Sequence, residues 1–237
     1  MAYQACGPLA CNIYALICGI TGDAALVDPS TCDSEEWERL NSHLEGKTVK
    51  HILLTHGHAD HVVGVADAMR TWPDAKLYMH PLEEENYHLA QEQGKFFGLQ
   101  VPRNLPLPTN ELGDGDIINI GETIRLKTIH TPGHAPGHVA FVDDRPSPES
   151  KGAVIIGGDL LFRGSVGRTD FFNSSLEDMF ASLRRLNELF HDESIVLSGH
   201  TTPTKLGTEK LTNPFVATAL KRPQEWFHEA KERLGWF

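Results

Sequence analysis

The sequence predicts a layered α/β sandwich, and three observations carry that reading. Short apolar runs of strand length recur along the chain, amphipathic helical patterns lie between them, and strands precede helices in both halves with no repeat at a fixed short period. The first strands are NIYALICGI from Asn12 and AALVD from Ala24, followed by a helix over SEEWERLNSHLEG from Ser34. VKHILLTH is the next strand, VVGVADAMRTW from Val62 a helix, and KLYMH a strand. In the second half ETIRLKTIH, HVAFVD, GAVIIGGD and SIVLSGH read as strands. SSLEDMFASLRRLNELF is a helix, with Ser174 and Glu177 at capping-box spacing. Asn213-Pro214 and Arg222-Pro223 each place a proline where a further helix can start. Two loop-rich stretches, from Gln93 to Asp116 and from Asp143 to Lys151, read as insertions within one domain. In the first, Phe96 and Phe97 are either a buried anchor or part of a substrate-facing lid.

The chain has 237 residues, 40% of them hydrophobic, enough for an ordinary buried core. With 21 Lys+Arg against 32 Asp+Glu, its formal charge is -11 and it has no long basic stretch, which argues against a nucleic-acid surface. Cys6, Cys11, Cys18 and Cys32 form no CxxC pair and read as free thiols. No basic-then-apolar leader and no membrane-length apolar window occurs, so the expectation is a cytoplasmic protein without a membrane partner.

Directly after the apolar run HILL the chain reads THGHADH, which crowds His56, His58, Asp60 and His61 at the mouth of a strand. Imidazole nitrogen and carboxylate oxygen suit zinc, iron or manganese. Residues of the same type recur where later strands end: His134 in HTPGH, Asp159 in GGD and His200 in SGH, the places where an α/β fold builds its sites. Gly57 and Ala59 leave room for the neighbouring ligand side chains, while Gly133 and Gly199 suit tight or positive-φ turns. Thr55 reads as no more than a residue that fits the strand end. His43, His88, His191 and His228 fall on helical patterns and carry no role; His51 and His130 read as structural. His138 reads either as support for a ligand or as a turn-stabilising residue.

Taken in order, THGHADH, TPGH, GGD and SGH resemble the HxHxDH hydrolase signature of the metallo-β-lactamase fold. The stretch from Asn12 to Pro29, QGKFFGL, GDLLFRGSVGRTDF and LGTEKLTNPF resemble its short glyoxalase II-like (hydroxyacylglutathione hydrolase-like) branch, so the resemblance covers nearly the whole chain. It implies a four-layer αββα sandwich, a single domain over residues 1–237 with a short helical C-terminal segment. It also implies two divalent metal ions, with zinc first and iron or manganese as alternatives. By that resemblance His56, His58 and His134 hold one ion, Asp60, His61 and His200 hold the second, and Asp159 bridges both, with a water or hydroxide between them. Asp60 doubles as the catalytic residue that orients that water or accepts its proton.

Two such ions supply hydroxide at neutral pH and polarise a carbonyl. A thiol leaving group, with a pKa of about 8.5, departs without a strong general acid. The resemblance implies hydrolysis of S-2-hydroxyacylglutathione, typically S-D-lactoylglutathione, to glutathione and a hydroxy acid. Three features depart from the branch. Few residues follow Pro214, where classical glyoxalase II enzymes have a longer helical region; Trp226, Phe227, Trp236 and Phe237 there read as packing residues. His200-Thr201-Thr202-Pro203 replaces the usual GHGP, and Ser30 follows Asp28-Pro29 where glycine is common. Arg168 reads as a brace pairing with Asp170, with a substrate carboxylate as its other reading; Arg163 has no settled role. The alternatives within the fold are a lactonase and a mononuclear iron persulfide dioxygenase, whose iron would take His56, His134 and Asp159. Against the dioxygenase, RGSVGRTD is one residue longer than that family's RGCGRTD.

Overall fold

Alternation along the strands sorts the apolar side chains into three separate layers. The computed structural model describes residues 1–143, 145 and 151–221. The first six strands are β1 (Ala2–Cys6), β2 (Cys11–Ile17), β3 (Asp23–Val27), β4 (Thr48–Leu53), β5 (Lys76–Met79) and β6 (Asn110–Glu111), which form one sheet in chain order. The later strands are β7 (Ile117–Ile120), β8 (Ile124–His130), β9 (Val139–Asp143), β10 (Val154–Gly158), β11 (Leu161–Phe162), β12 (Ser165–Val166), β13 (Ile195–Ser198) and β14 (Thr204–Lys205). Six of them form a second sheet in the order β14-β13-β10-β9-β8-β7, while β11 and β12 pair as a small hairpin. The helices are α1 (Ser34–His43), α2 (Ala59–Val62), α3 (Val65–Thr71), α4 (Glu84–Phe97), α5 (Leu176–Leu189), α6 (Leu206–Thr212) and α7 (Pro214–Lys221).

Tyr14, Leu16, Ala25, Val27 and Leu53 of the first sheet meet Val139, Phe141, Ile156 and Leu197 of the second in a central layer. Their neighbours point the other way, as a period of two requires. Ile13, Ala15, Ala24 and Leu26 pack outward with Leu40 of α1, Val65 and Ala68 of α3 and Ala90 of α4. Ala140, Val142 and Ile155 pack outward with Leu183 and Leu186 of α5 and Val216 of α7. The result is the four-layer αββα sandwich, helices outside and two sheets within.

All eight strands read from the sequence are present, and β1, β6, β7, β11, β12 and β14 add to them. Three expectations change. The helix read from Val62 is two helices divided at Gly64, whose N–H donates to the Pro29 carbonyl at 2.8 Å, and the first begins at Ala59. Asp60 and His61 therefore sit in a helical turn. The loop read from Gln93 is still α4 as far as Phe97; the helix stops at Gly98, in the left-handed region with φ 71°. The cap of α5 is Ser175, which accepts from the Asp178 N–H, one residue beyond the predicted Ser174. Asn213 does cap α7, its side-chain oxygen accepting from the Phe215 N–H at 3.0 Å. The readings at Arg222-Pro223 and at Trp226, Phe227, His228, Trp236 and Phe237 lie outside the described residues.

The sheets are joined at one end. Asn12 donates its backbone N–H to the Gly199 carbonyl at 2.7 Å, Tyr14 donates its hydroxyl to the Ser198 carbonyl at 2.7 Å, and Val139 N–H reaches the Thr55 carbonyl at 2.9 Å. The loops after β4, β8, β10 and β13 converge there. Among the described residues no helix is long and apolar enough to cross a membrane.

Candidate metal centre

Seven side chains from the two sheets meet at this end. His56 and His58 leave β4, and Asp60 and His61 follow in α2; His134 follows β8, Asp159 follows β10 and His200 follows β13. One ligand atom each from His56, His58 and His134 can be chosen within 4.8 Å of one another, and the same holds for His56, His61 and Asp159 and for Cys11, Asp60, His61 and His200. His58 Nδ1 stands 2.8 Å from His134 Nε2. Asp159 faces both groups: Oδ1 is 3.3 Å from His61 Nε2, and Oδ2 is 3.5 Å from both His134 Nε2 and His200 Nε2. Asp60 Oδ2 is 3.2 Å from His200 Nε2 and 3.8 Å from His61 Nε2. Every sequence-predicted ligand is thus brought to one place.

The far nitrogen of most rings is spoken for, and this fixes which lone pair faces the centre. His134 Nδ1 donates to the Arg168 carbonyl at 2.8 Å, and His200 Nδ1 to the Leu9 carbonyl at 2.9 Å. His61 Nδ1 donates to Asp28 Oδ2 at 2.9 Å. Thr55 donates its hydroxyl to the same Asp28 carboxylate at 2.7 Å and accepts from His56 Nδ1 at 3.0 Å. The buried His56 Nε2, His61 Nε2 and Asp159 Oδ1, whose residues meet in one group, are left without a hydrogen-bond partner. Orphaned buried polar atoms are costly. Their clustering, all nitrogen and carboxylate oxygen, fits a pair of divalent cations, and these His and Asp residues are positioned for a dimetal site.

The two halves differ electrically. Burial, reinforced by the neighbouring imidazoles, holds His56, His58 and His134 below the ordinary histidine range, so their lone pairs are free at neutral pH. Burial would also lower His61 and His200, but Cys11 with the carboxylates of Asp159, Asp60 and Asp28 outweighs it at His61, as Asp159 and Asp60 do at His200, and both are held above that range. Burial alone would raise Asp60 and Asp159; His61 and His200 instead keep both below the usual carboxylate range.

A family model described as the metallo-beta-lactamase superfamily matches residues 6–200. The chain belongs to that superfamily. It is 34% identical over 220 residues to YqgX of Bacillus subtilis, a probable metallo-hydrolase, with 89% of this chain and 94% of that one covered. It is 32% identical over 200 residues to the hydroxyacylglutathione hydrolase GloC of Haemophilus influenzae, covering 82% and 87% of the two chains. Among solved structures, TTHA1623 in a di-iron-bound form is similar with a TM-score of 0.75 at 38% identity, covering 91% of this chain and 100% of that one.

Beside the seven residues, this metallo-beta-lactamase superfamily member uses several that sequence reasoning undervalued. Asp28, in the left-handed region with φ 51°, binds Thr55 and His61 together and was not singled out. The signal was present, since AALVD ends in an acid as GGD does. Thr55 is a bridge between Asp28 and His56 rather than a strand-end filler. Cys11 also lies against the site, its sulfur 3.6 Å from His61 Nδ1. His138 proves to support a ligand: its Nε2 accepts the Asp159 backbone N–H at 2.9 Å while its Nδ1 faces Thr131 Oγ1 at 2.9 Å. Burial pushes its pKa down to about 3, which keeps that acceptor available. His130 does not join them and hydrogen-bonds the Pro136 carbonyl. Gly199 is required by close approach, because a Cβ there would lie 2.3 Å from Asp159 Oδ1.

The centre opens into a cavity of about 360 Å³ whose apolar wall includes Leu9, Phe97, Phe162, Val166 and Phe171. Phe97 thus faces the site from the end of α4, while Phe96 is 87% exposed. Arg168 lines the same cavity, pairs with Asp170 at 2.6 and 2.7 Å, and lies 4.6 Å over the Phe171 ring. Arg163 reaches Thr202 Oγ1 at 3.2 Å, and Thr201 takes a left-handed φ of 72°, so the turn after His200 has its own conformation.

Proposed function

We infer that this metallo-hydrolase cleaves glutathione thioesters, S-2-hydroxyacylglutathione and in particular S-D-lactoylglutathione, to glutathione and a hydroxy acid. The observation that carries the reading is the pair of half-sites facing one carboxylate, Asp159, at the base of an apolar-walled cavity. Similarity to the hydroxyacylglutathione hydrolase GloC supports the choice of substrate. In this reading His56, His58 and His134 would hold one ion and Asp60, His61 and His200 the other, with Asp159 available to both; zinc is the first candidate, with iron or manganese next. Such a pair, when bound, supplies a hydroxide nucleophile at neutral pH and Lewis-acid polarisation of the carbonyl.

The protein supplies the rest. Asp60, with its side chain 14% exposed toward the cavity, orients the attacking oxygen. Asp28, Thr55 and His138 keep the ligand rings and Asp159 in place, which avoids reorganisation during the reaction. Phe97, Phe162 and Phe171 exclude water from around the acyl group. The departing thiolate needs no proton donor, because its thiol has a pKa of about 8.5.

The test is loss of the thioester of S-D-lactoylglutathione on addition of purified protein, with metal content measured on the same sample. Turnover with about two ions per chain is the expected result. Two ions without turnover would move the substrate to another ester, a lactone first. One iron with oxygen uptake on glutathione persulfide would replace hydrolysis by persulfide oxidation.

A further inference from the structure

We propose that Glu83 is a positioning residue for the metal centre, its buried carboxylate tying the loop of His56 and His58 to the loop of His134 and His138. The proposal rests on the metal-centre reading and concerns residues outside the seven ligands. Glu83 is 0% exposed and stands at the start of α4. A glutamate there ordinarily turns its side chain to the free N–H groups of its own helix or to solvent. This one makes no bond to the helix N–H groups. Oε2 accepts from the Gly57 N–H at 2.8 Å and from Asn86 Nδ2 at 2.8 Å, and Oε1 accepts from the Gly137 N–H at 2.6 Å.

Gly57 lies between His56 and His58, and Gly137 immediately precedes His138. Both loops press against the start of α4. A Cβ on Gly57 would be 2.8 Å from the Tyr87 backbone nitrogen, and one on Gly137 would be 3.0 Å from Glu83 Cγ. A third loop joins through Asn86, whose Oδ1 accepts from Asn173 Nδ2 at 2.9 Å; in that loop Ser174 donates its hydroxyl to the His134 carbonyl at 2.8 Å. One carboxylate thus bonds directly to two ligand-bearing loops from different sheets and indirectly to a third. A buried carboxylate is tolerated only when hydrogen-bonded, and here two of its three donors belong to the loops that must stay in register for His58 and His134 to meet at 2.8 Å.

The test is a cobalt(II) titration of metal-free protein, followed by visible absorption, on wild type, Glu83→Gln, Glu83→Ala and Glu84→Gln. A glutamine keeps the size of Glu83 but offers one acceptor oxygen, so its amide group must face the N–H of one of the two loops. The expected result for Glu83→Gln is a cobalt affinity lowered about ten- to a hundredfold, altered absorption bands, and a lower kcat with KM little changed. The exposed Glu84→Gln should match wild type. Glu83→Gln with wild-type cobalt affinity and bands, even with a lower Tm, would reduce Glu83 to a folding residue and overturn the proposal. If Glu83→Ala does not fold, Glu83→Gln alone decides. Because cobalt binding is read without substrate, failure of the thioester reading would leave this result interpretable.

Discussion

His138 lies outside the seven candidate ligands and yet is hydrogen-bonded to one of them. It accepts the backbone N–H of Asp159, so His138→Ala strands a buried donor and frees the turn that aims the carboxylate. The expected outcome is metal affinity lowered about ten- to a hundredfold and unfolding free energy lowered by about 1–3 kcal/mol, checked by metal analysis after dialysis and by urea titration. Asp159→Ala goes further, since it removes the group that faces both halves. It should abolish thioester hydrolysis and most metal retention while the circular dichroism spectrum stays close to wild type; full activity with unchanged metal would remove Asp159 from the centre. The facing residues were legible in the sequence because each ends, or closely follows, an apolar strand. Their supports were not. Asp28 has the same signature as Asp159, and nothing in one dimension says that its carboxylate lies behind the rings. Glu83, in a run of three glutamates, reads as the solvated start of a helix.

Elements were read best where burial on both faces makes a strand a continuous apolar run, as in β2, β3, β9 and β10. β1 and β7 are edge strands in which exposed residues alternate with partly or fully buried ones, so neither gave such a run. The break at Gly64 was hidden because its cause is tertiary: a Cβ there would be 2.5 Å from Thr31 Oγ1. The length of α4 was missed because the glycines and prolines around QGKFFGLQVP suggested a loop, whereas Gly94 lies inside the helix and packs closely on Leu99 and Val101. That extra turn has a functional consequence, since it carries Phe97 to the cavity. Phe97→Ala should cost about 1 kcal/mol of apolar contact, a rise of roughly fivefold in KM for S-D-lactoylglutathione with kcat largely kept. Steady-state kinetics with lactoyl and bulkier acyl thioesters would check it, and a lower kcat at unchanged KM would place Phe97 in the chemistry instead.

At the scale of the whole molecule, the centre joins two sheets that otherwise meet through their apolar layer and a few hydrogen bonds. Ions bound there by the folded chain alone stabilise it, by about 4 kcal/mol at a thousandfold excess over Kd. Chelation should therefore lower Tm, and the size of that drop should depend on pH. In metal-free protein Cys11 and the neighbouring carboxylates hold His61, and Asp159 and Asp60 hold His200, above the ordinary histidine range, so a cation entering that half must displace protons even near neutral pH. Below those raised pKa values, apparent affinity falls about tenfold per pH unit for each proton displaced. His56, His58 and His134 are held below that range and meet proton competition only in more acidic solution. Acidification from pH 8 should thus remove the ions in two steps, first from the half built on Asp60, His61 and His200, with the Tm gap between loaded and chelated protein narrowing at each. Metal content after dialysis at descending pH, alongside thermal melts, reads both steps. Simultaneous loss of both ions near the ordinary carboxylate pKa of about 4 would mean that the electrostatic difference between the halves does not govern loading.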